Sequence, residues 1–329
     1  MSAIHLLYAG GTFGCYGNPL QPLPAEVFLP MLQPLTAQHT IHQLDNPIVK
    51  DSSHLTPMDF VHFYRLIWQA HQDGAERFLV ITGTDTLSYL AAFLGYALSE
   101  LAISVVITGG MLPLLSDNPT AHTINSDSDA LINFAHALTW LDKSSYGVTV
   151  SFGNKILSAD SIQKIDSQAI NAFSGTEFTH SCTTDNKLFH PNFELIDHHL
   201  TKYSHIHTLY LVPNQPEWLA SQLQALLNKP PTAVIIIAFG VGNLPDTPAI
   251  RAAIEQLSHA DFMVVIASSS PFGSRSASYA AGSWQYACGA LPSKALPMPA
   301  IYAKLLWLCL SLPPNERQAA WLNFINTSS

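Results

Sequence analysis

Apolar and polar positions along the chain alternate between two periods. Short continuous apolar runs, "IHLLYA" (4–9), "RFLVIT" (77–82), "ISVVITG" (103–109), "YGVTVSF" (146–152), "AVIIIAF" (233–239) and "FMVVIAS" (262–268), read as strands buried on both faces. Between them lie segments with the spacing of helices: 25–35, 57–72, 86–101, 129–141, 215–228 and 247–258, then helices from about 276, 299 and 314. Thr56 followed by Pro57 predicts an N-cap and first helical residue for the segment 57–72. The stretch 154–167 alternates as a short antiparallel extension. The polar run from about 190 to 207, "HPNFELIDHHLTKYSHIH", reads as an irregular linker. The β–α alternation predicts an α/β fold. A larger N-terminal domain (1–190) has a parallel sheet with helices on both faces. A linker (191–210) joins it to a smaller C-terminal α/β domain (211–329).

Composition narrows the classes of function. Of 329 residues, 48% are hydrophobic, so a sizeable core is available. Only 11% are charged, against about 25% in an ordinary soluble domain, which leaves neutral surface for burial in a homo-oligomer. The net charge of −9 and the lack of Lys/Arg runs argue against a nucleic-acid partner. Cys15, Cys182, Cys288 and Cys309 are far apart with no C-x-x-C pair, so neither a disulfide framework nor a zinc site is expected. No signal peptide and no run of about 18 apolar residues are apparent, so membrane partners and secretion are not expected, and a cytoplasmic setting fits.

Candidate chemistry gathers at strand ends. "AGGTFG" (9–14) follows the first strand, "TGTDTL" (82–87) the run 77–82, and "TGGMLPL" (108–114) the run 103–109. Each stretch alone admits a turn or a helix cap, and Thr84 or Asp85 could cap the helix that follows. Each also presents hydroxyls and backbone N–H groups where open α/β sheets carry ligands. The loop "KDSSHLTPMDF" (50–60) adds Ser52 and Ser53. No G-x-G-x-x-G pattern supports a dinucleotide, and the scattered histidines have no metal-site spacing, so no cofactor is expected. Cys15 reads as a small buried side chain. Ser274 and Arg275 in "GSRS" read as part of a loop near a subunit interface.

Taken in order, these motifs resemble the bacterial-type L-asparaginases, closer to the cytoplasmic type I group. "AGGTFG" is similar to that family's T-G-G-T-I-G/A signature, and "TGTDTL" to its H-G-T-D-T-M/L. "DSSHLTPMDF", "TGGMLPL", "FGVGNLP" (239–245) and "PAIYAKLLWL" (299–308) resemble further segments, so the likeness runs nearly end to end. The resemblance implies hydrolysis of L-asparagine through a β-aspartyl acyl-enzyme on Thr12. It implies a second triad of Thr84, Asp85 and Lys164, with Asp85 holding the α-amino group. Ser52, with its neighbour Ser53, would take the α-carboxylate, and backbone groups near Gly11, Gly83 and Thr84 the oxyanion. Tyr16 stands where a lid tyrosine is sought. A homodimer or homotetramer with a small amino-acid substrate is implied.

Several residues depart from the pattern: Ala9, Thr82 in place of histidine, Leu112 in place of arginine, "SADSI" in place of an arginine-rich run, and a shorter stretch after the first signature. They leave open a glutaminase-asparaginase of broader range and a non-catalytic amino-acid-binding homologue. The amidase subunit of a tRNA amidotransferase fits less well, because the first signature begins at residue 9.

Overall fold

The computed structural model describes residues 2–116, 123–143, 145–179, 191–228, 232–259, 262–270 and 280–327. Cys182, Ser274 and Arg275 lie outside the described residues. The chain divides into two compact units, Met1–His190 and Pro191–Ser329.

The first unit is built on a six-stranded sheet. Its order is Ile41–Gln43, Ile4–Tyr8, Arg77–Ile81, Ser104–Thr108, Gly147–Phe152 and Lys155–Ser158. The first five run parallel and the last is antiparallel, as the alternation in 154–167 predicts. Every residue of Arg77–Ile81 and Ser104–Thr108 is buried, so Phe78–Ile81 and Val105–Ile107 are continuously apolar rather than alternating. On one face Ile4, Leu6, Tyr8, Leu79, Ile81 and Val106 pack against Ala130, Phe134, Ala137, Leu138 and Leu141 of the helix Asp129–Leu141. Alternate strand residues point the other way. There the helix Leu87–Ala97 lies along Ser104–Thr108 and Gly147–Phe152 and meets the helix Pro57–Gln72 through Phe93 and Phe60.

The second unit carries a parallel sheet ordered Ile206–Tyr210, Ala233–Ala238, Met263–Ser268 and Leu291–Pro292. Val234, Ile236, Val264 and Ile266 face the helices Pro216–Asn228 and Pro248–His259. Ala233, Ile235, Met263 and Val265 face the helices Met298–Ser311 and Pro314–Thr327. Among the described residues, no helix is long and apolar enough to cross a membrane.

Three expectations are corrected. Residues 191–210 are not an irregular linker: they form the helix Phe193–Tyr203 and the edge strand Ile206–Tyr210. Only Ile196 and His199 of that helix are buried, a stripe two residues wide that polar neighbours mask in the sequence. Asn192 caps it, its side-chain oxygen accepting from the Leu195 N–H at 2.9 Å. The segment 25–35 is α-helical only over Ala25–Phe28. It then tightens to a 3₁₀ turn over Leu29–Leu35, where Pro30 and Pro34 donate no backbone hydrogen bond. The helix expected over 86–101 stops at Ala97.

One buried carboxylate locks a loop of the first sheet. Asp129, with 3% of its surface exposed, opens the helix Asp129–Leu141 and accepts from the Met111 and Leu112 N–H groups, both at 2.9 Å. The Asn133 amide also donates to Asp129 (3.2 Å) and to Gly109 O (3.0 Å). The Asp129→Ala change strands these donors and is expected to lower stability by about 2–4 kcal/mol, read by urea unfolding. Burial, first among the causes, lowers the pKa of His5, His62, His136 and His199 below the ordinary 6.5. The unfolded chain binds protons at these sites more readily. Their contribution to stability is therefore present above pH 6.5 and lost below it, so the thermal midpoint is expected to fall on acidification through that value.

Candidate active site

Strand register decides where the chemistry collects. Tyr8, Ile81 and Thr108 are paired neighbours, so the turns that follow them leave the sheet at one level. Two further backbone bonds carry the ladder one step on, from Ala9 N–H to Ile81 O (2.8 Å) and from Thr82 N–H to Thr108 O (3.0 Å). This is the carboxyl end of the parallel strands, the usual ligand edge of an open α/β sheet.

There the first and second threonine-bearing turns touch. Gly11 has φ 84° and ψ 176°, and a Cβ on it would lie 2.2 Å from Gly83 Cα. No side chain fits, so glycine is required by both conformation and contact. A Cβ on Gly83 would in turn lie 2.5 Å from Ser52 Oγ. Thr12, half-buried, opens the 3₁₀ turn Thr12–Gly14 directly after Gly11. Phe13 anchors that turn beneath, its ring 5.9 Å from those of Phe28 and Phe134. The Cys15 thiol donates to Gly11 O at 3.1 Å, and burial pushes its pKa up to about 11. Cys15 is thus a buried neutral thiol, as expected.

Thr84 and Asp85 follow Gly83. Lys164 reaches them from the short hairpin Gln163–Lys164 and Phe173–Ser174, some eighty residues on. Its ammonium donates to Thr84 Oγ1 at 2.9 Å and to Asp85 Oδ1 at 2.8 Å. Thr84 is buried, while the Asp85 side chain is 61% exposed and can meet a further donor. Ser52 joins the group: its Oγ accepts from the Asp85 N–H (3.2 Å), and its carbonyl from the Thr86 hydroxyl (2.8 Å). The structure therefore brings together Gly11, Ser52, Gly83, Thr84, Asp85 and Lys164, with Thr12 next to Gly11.

Two expected residues have other surroundings. Ser53 is exposed, and its N–H donates to Asp51 Oδ1 (2.8 Å). Bonds from the Ser53 hydroxyl and backbone hold the Asp51 carboxyl below its ordinary pKa. Tyr16 lies in the two-residue strand Cys15–Tyr16 and packs against the core cluster that contains Tyr8 and Phe13. Thr82, which stands where the resembled family has histidine, is fully buried. Leu112, in the place of arginine, is 40% exposed.

Lys50 and Asp59, which no motif in the sequence singles out, bond to each other at 2.8 Å at the Ser52 loop. The T-x-x-D pattern of Thr56 and Asp59, a capping-box spacing, was the signal that could have found them. A cleft of roughly 470 Å³ opens elsewhere, beside Ser2, His5, His42 and Asp73 at the opposite ends of the strands, and no motif residue lines it.

Chemically, the site sets a hydroxyl against an ammonium and a carboxylate at a strand edge rich in backbone N–H groups. That arrangement suits nucleophilic attack on a neutral carbonyl and stabilisation of an oxyanion. A family model described as the N-terminal asparaginase domain matches residues 3–194. This chain belongs to the asparaginase family. A second model, the glutaminase/asparaginase C-terminal domain, matches residues 205–320 of this family member. L-asparaginase 1 of Escherichia coli is 26% identical over 280 residues, covering 80% of this chain and 78% of that protein. The asparaginase fold recurs in the thermostable L-asparaginase from Thermococcus kodakarensis. The TM-score is 0.77 at 22% identity, over 97% of this chain and 96% of that one. L-asparaginase I from Vibrio cholerae gives 0.75 at 23% identity, with the same coverage.

In this member of the asparaginase family the contact between Gly11 and Gly83 admits no side chain. Gly11→Ala is expected to lose about 3 kcal/mol or more of stability, from overlap and the positive φ together, measured by denaturant unfolding. Gly74→Ala, with φ 95° but no atom within 4 Å of the added carbon, serves as the control for φ alone.

Proposed function

We propose that this chain hydrolyses L-asparagine to L-aspartate and ammonia, with Thr12 as nucleophile. The observation that carries the reading is the Lys164–Thr84–Asp85 cluster, set beside the turn that delivers Thr12. In this reading Thr12 Oγ attacks the side-chain amide carbon and gives up its proton. Backbone N–H groups near Gly11 and Thr84 hold the oxyanion. The C–N bond breaks, the leaving nitrogen takes a proton and departs as ammonia, and a β-aspartyl ester remains on Thr12. Water then cleaves the ester, restoring the hydroxyl.

The substrate's charged end fits the same groups. Asp85 has one carboxylate oxygen on Lys164 and a largely exposed side chain, so its second oxygen can accept from an α-ammonium. Ser52 lies one hydrogen bond away, and in this reading its hydroxyl meets the α-carboxylate. Thr84 accepts from Lys164 and keeps its own proton to donate, which lets the pair move protons near the reacting centre. Tyr16 and Ser53 are assigned no chemical step in this proposal.

The wider setting in this reading is a cytoplasmic homodimer or homotetramer. Cys15, Cys288 and Cys309 are free and buried, which suits a reducing compartment. Met58 (68%), Tyr210 (57%) and Ile165 (54%) are exposed in the single chain, the kind of apolar surface that subunit contacts cover. The match to a glutaminase/asparaginase C-terminal domain makes L-glutamine the comparator substrate.

Coupled ammonia assays with L-asparagine, L-glutamine and D-asparagine test the proposal. The expected result is turnover of L-asparagine; binding of L-aspartate without any ammonia release favours an amino-acid-binding homologue instead. Thr12→Ala is expected to lower kcat by about 10³-fold or more with KM nearly unchanged, since a nucleophile acts in the transition state.

A further inference from the structure

The loop that carries Ser52 is held at both ends by one oxygen atom. Asp59 Oδ2 accepts from the Lys50 ammonium (2.8 Å), the Thr56 N–H (2.7 Å) and the Thr56 hydroxyl (2.8 Å). Lys50 begins the loop and Thr56 ends it, so residues 51–55 form an arch over a single carboxylate. Inside the arch Asp51 caps the 3₁₀ turn Ser52–His54, which fixes the direction of Ser52.

Lys50 also ties the arch to the first threonine turn. Its N–H donates to Ala9 O at 3.1 Å, and a Cβ on Gly10 would lie 2.6 Å from Lys50 O. The far side of the arch meets the second turn, through Ser52 Oγ on the Asp85 N–H and Ser52 O on the Thr86 hydroxyl. A movement of the arch therefore shifts Ser52 against Asp85 and Thr12 together.

The Asp59 side chain is 9% exposed and that of Lys50 is 34% exposed, so the carboxylate is shielded while its partner keeps contact with water. Burial pushes the Asp59 pKa up. The bonds from Lys50 and Thr56 and the charge of Lys50 more than offset this, and the carboxyl stays below its ordinary range. A buried carboxylate with three donors on one oxygen is a rigid anchor, and losing its charge weakens every arm at once.

We propose that Asp59 is a positioning residue that sets the place of Ser52 for the substrate's α-carboxylate, acting through Lys50 and Thr56 without touching substrate. This rests on Ser52 as a substrate-binding residue in the reading above. An anchor of ground-state contacts is expected to show in KM and in ligand binding more than in kcat.

The test compares wild-type protein with Asp59→Asn and Lys50→Met. Asp59→Asn is expected to raise KM for L-asparagine, and Kd for L-aspartate by calorimetry, about tenfold, while kcat changes less than about threefold. Lys50→Met, which leaves the Thr56 arm in place, is expected to give a smaller shift in the same direction, and the double variant to match Asp59→Asn alone. A folded Asp59→Asn protein with unchanged KM and Kd overturns the inference, as does a loss confined to kcat.

Amide hydrogen exchange over residues 50–56 reads the anchor without substrate. Protection is expected to fall in both variants, and unchanged protection overturns the inference whether or not the wild type hydrolyses asparagine. If Asp59→Asn fails to fold, Lys50→Met alone decides by the same readouts. A wild type without ammonia release counts against the proposed activity, whereas the L-aspartate and exchange data still decide the anchor.

Discussion

The close contact of two backbones, Gly11 against Gly83, is the constraint on which the candidate site depends. It exists because three parallel strands end in register, so their turns compete for the same small volume. A Cβ on Gly11 would lie 2.2 Å from Gly83 Cα, and one on Gly83 would lie 2.5 Å from Ser52 Oγ, so neither position accepts a side chain without moving its neighbour. With both glycines bare, the residues just after them, Thr12 and Thr84, are delivered to one edge of the sheet. The threonine signatures are therefore packing motifs as well as chemical ones: the glycines make the approach, and the hydroxyls use it.

Around that contact the protein spends buried charge sparingly. With few charged residues overall, two carboxylates are nonetheless buried beside the loops, Asp59 under the Ser52 arch and Asp129 under the Met111–Leu112 turn. Asp129 accepts two backbone N–H groups, and Asp59 accepts one together with a hydroxyl and an ammonium. A carboxylate with two or more donors is stable in such a place, where an unpaired one would not be. Lys164 does a related task at the site itself, bridging Thr84 and Asp85 from a separate hairpin. The loops are thus held by a few strong, directed bonds, while the strands below are held by continuous apolar packing.

Much of this was legible in the chain. The buried strands stand out because a strand covered on both faces has few polar positions to interrupt it, and the helix Pro57–Gln72 begins where Thr56 and Pro57 predict it. The helix Phe193–Tyr203 did not stand out, because only Ile196 and His199 face the core and the surrounding polar residues hide so narrow a stripe. The prolines at 30 and 34 were visible, but their effect, a switch from α to 3₁₀ winding, follows from which carbonyls lose a partner. Tyr16 is near Thr12 in the chain, and it packs against the core cluster that contains Tyr8 and Phe13.

Chain order alone carries the period of the buried strands and of most helices, the glycine–hydroxyl turns at strand ends and the identity of the groups available for chemistry. These are local properties: they depend on neighbours a few residues apart and on side-chain size. Only the tertiary structure decided that Lys164 meets Thr84 and Asp85 across eighty residues, that Ser52 accepts the Asp85 N–H, and that Lys50 and Thr56 share one oxygen of Asp59. Hydrogen bonds and ion pairs act over about 3 Å, a distance that chain order does not encode. The register of parallel strands and the packing of the loops above them bring such groups within that reach.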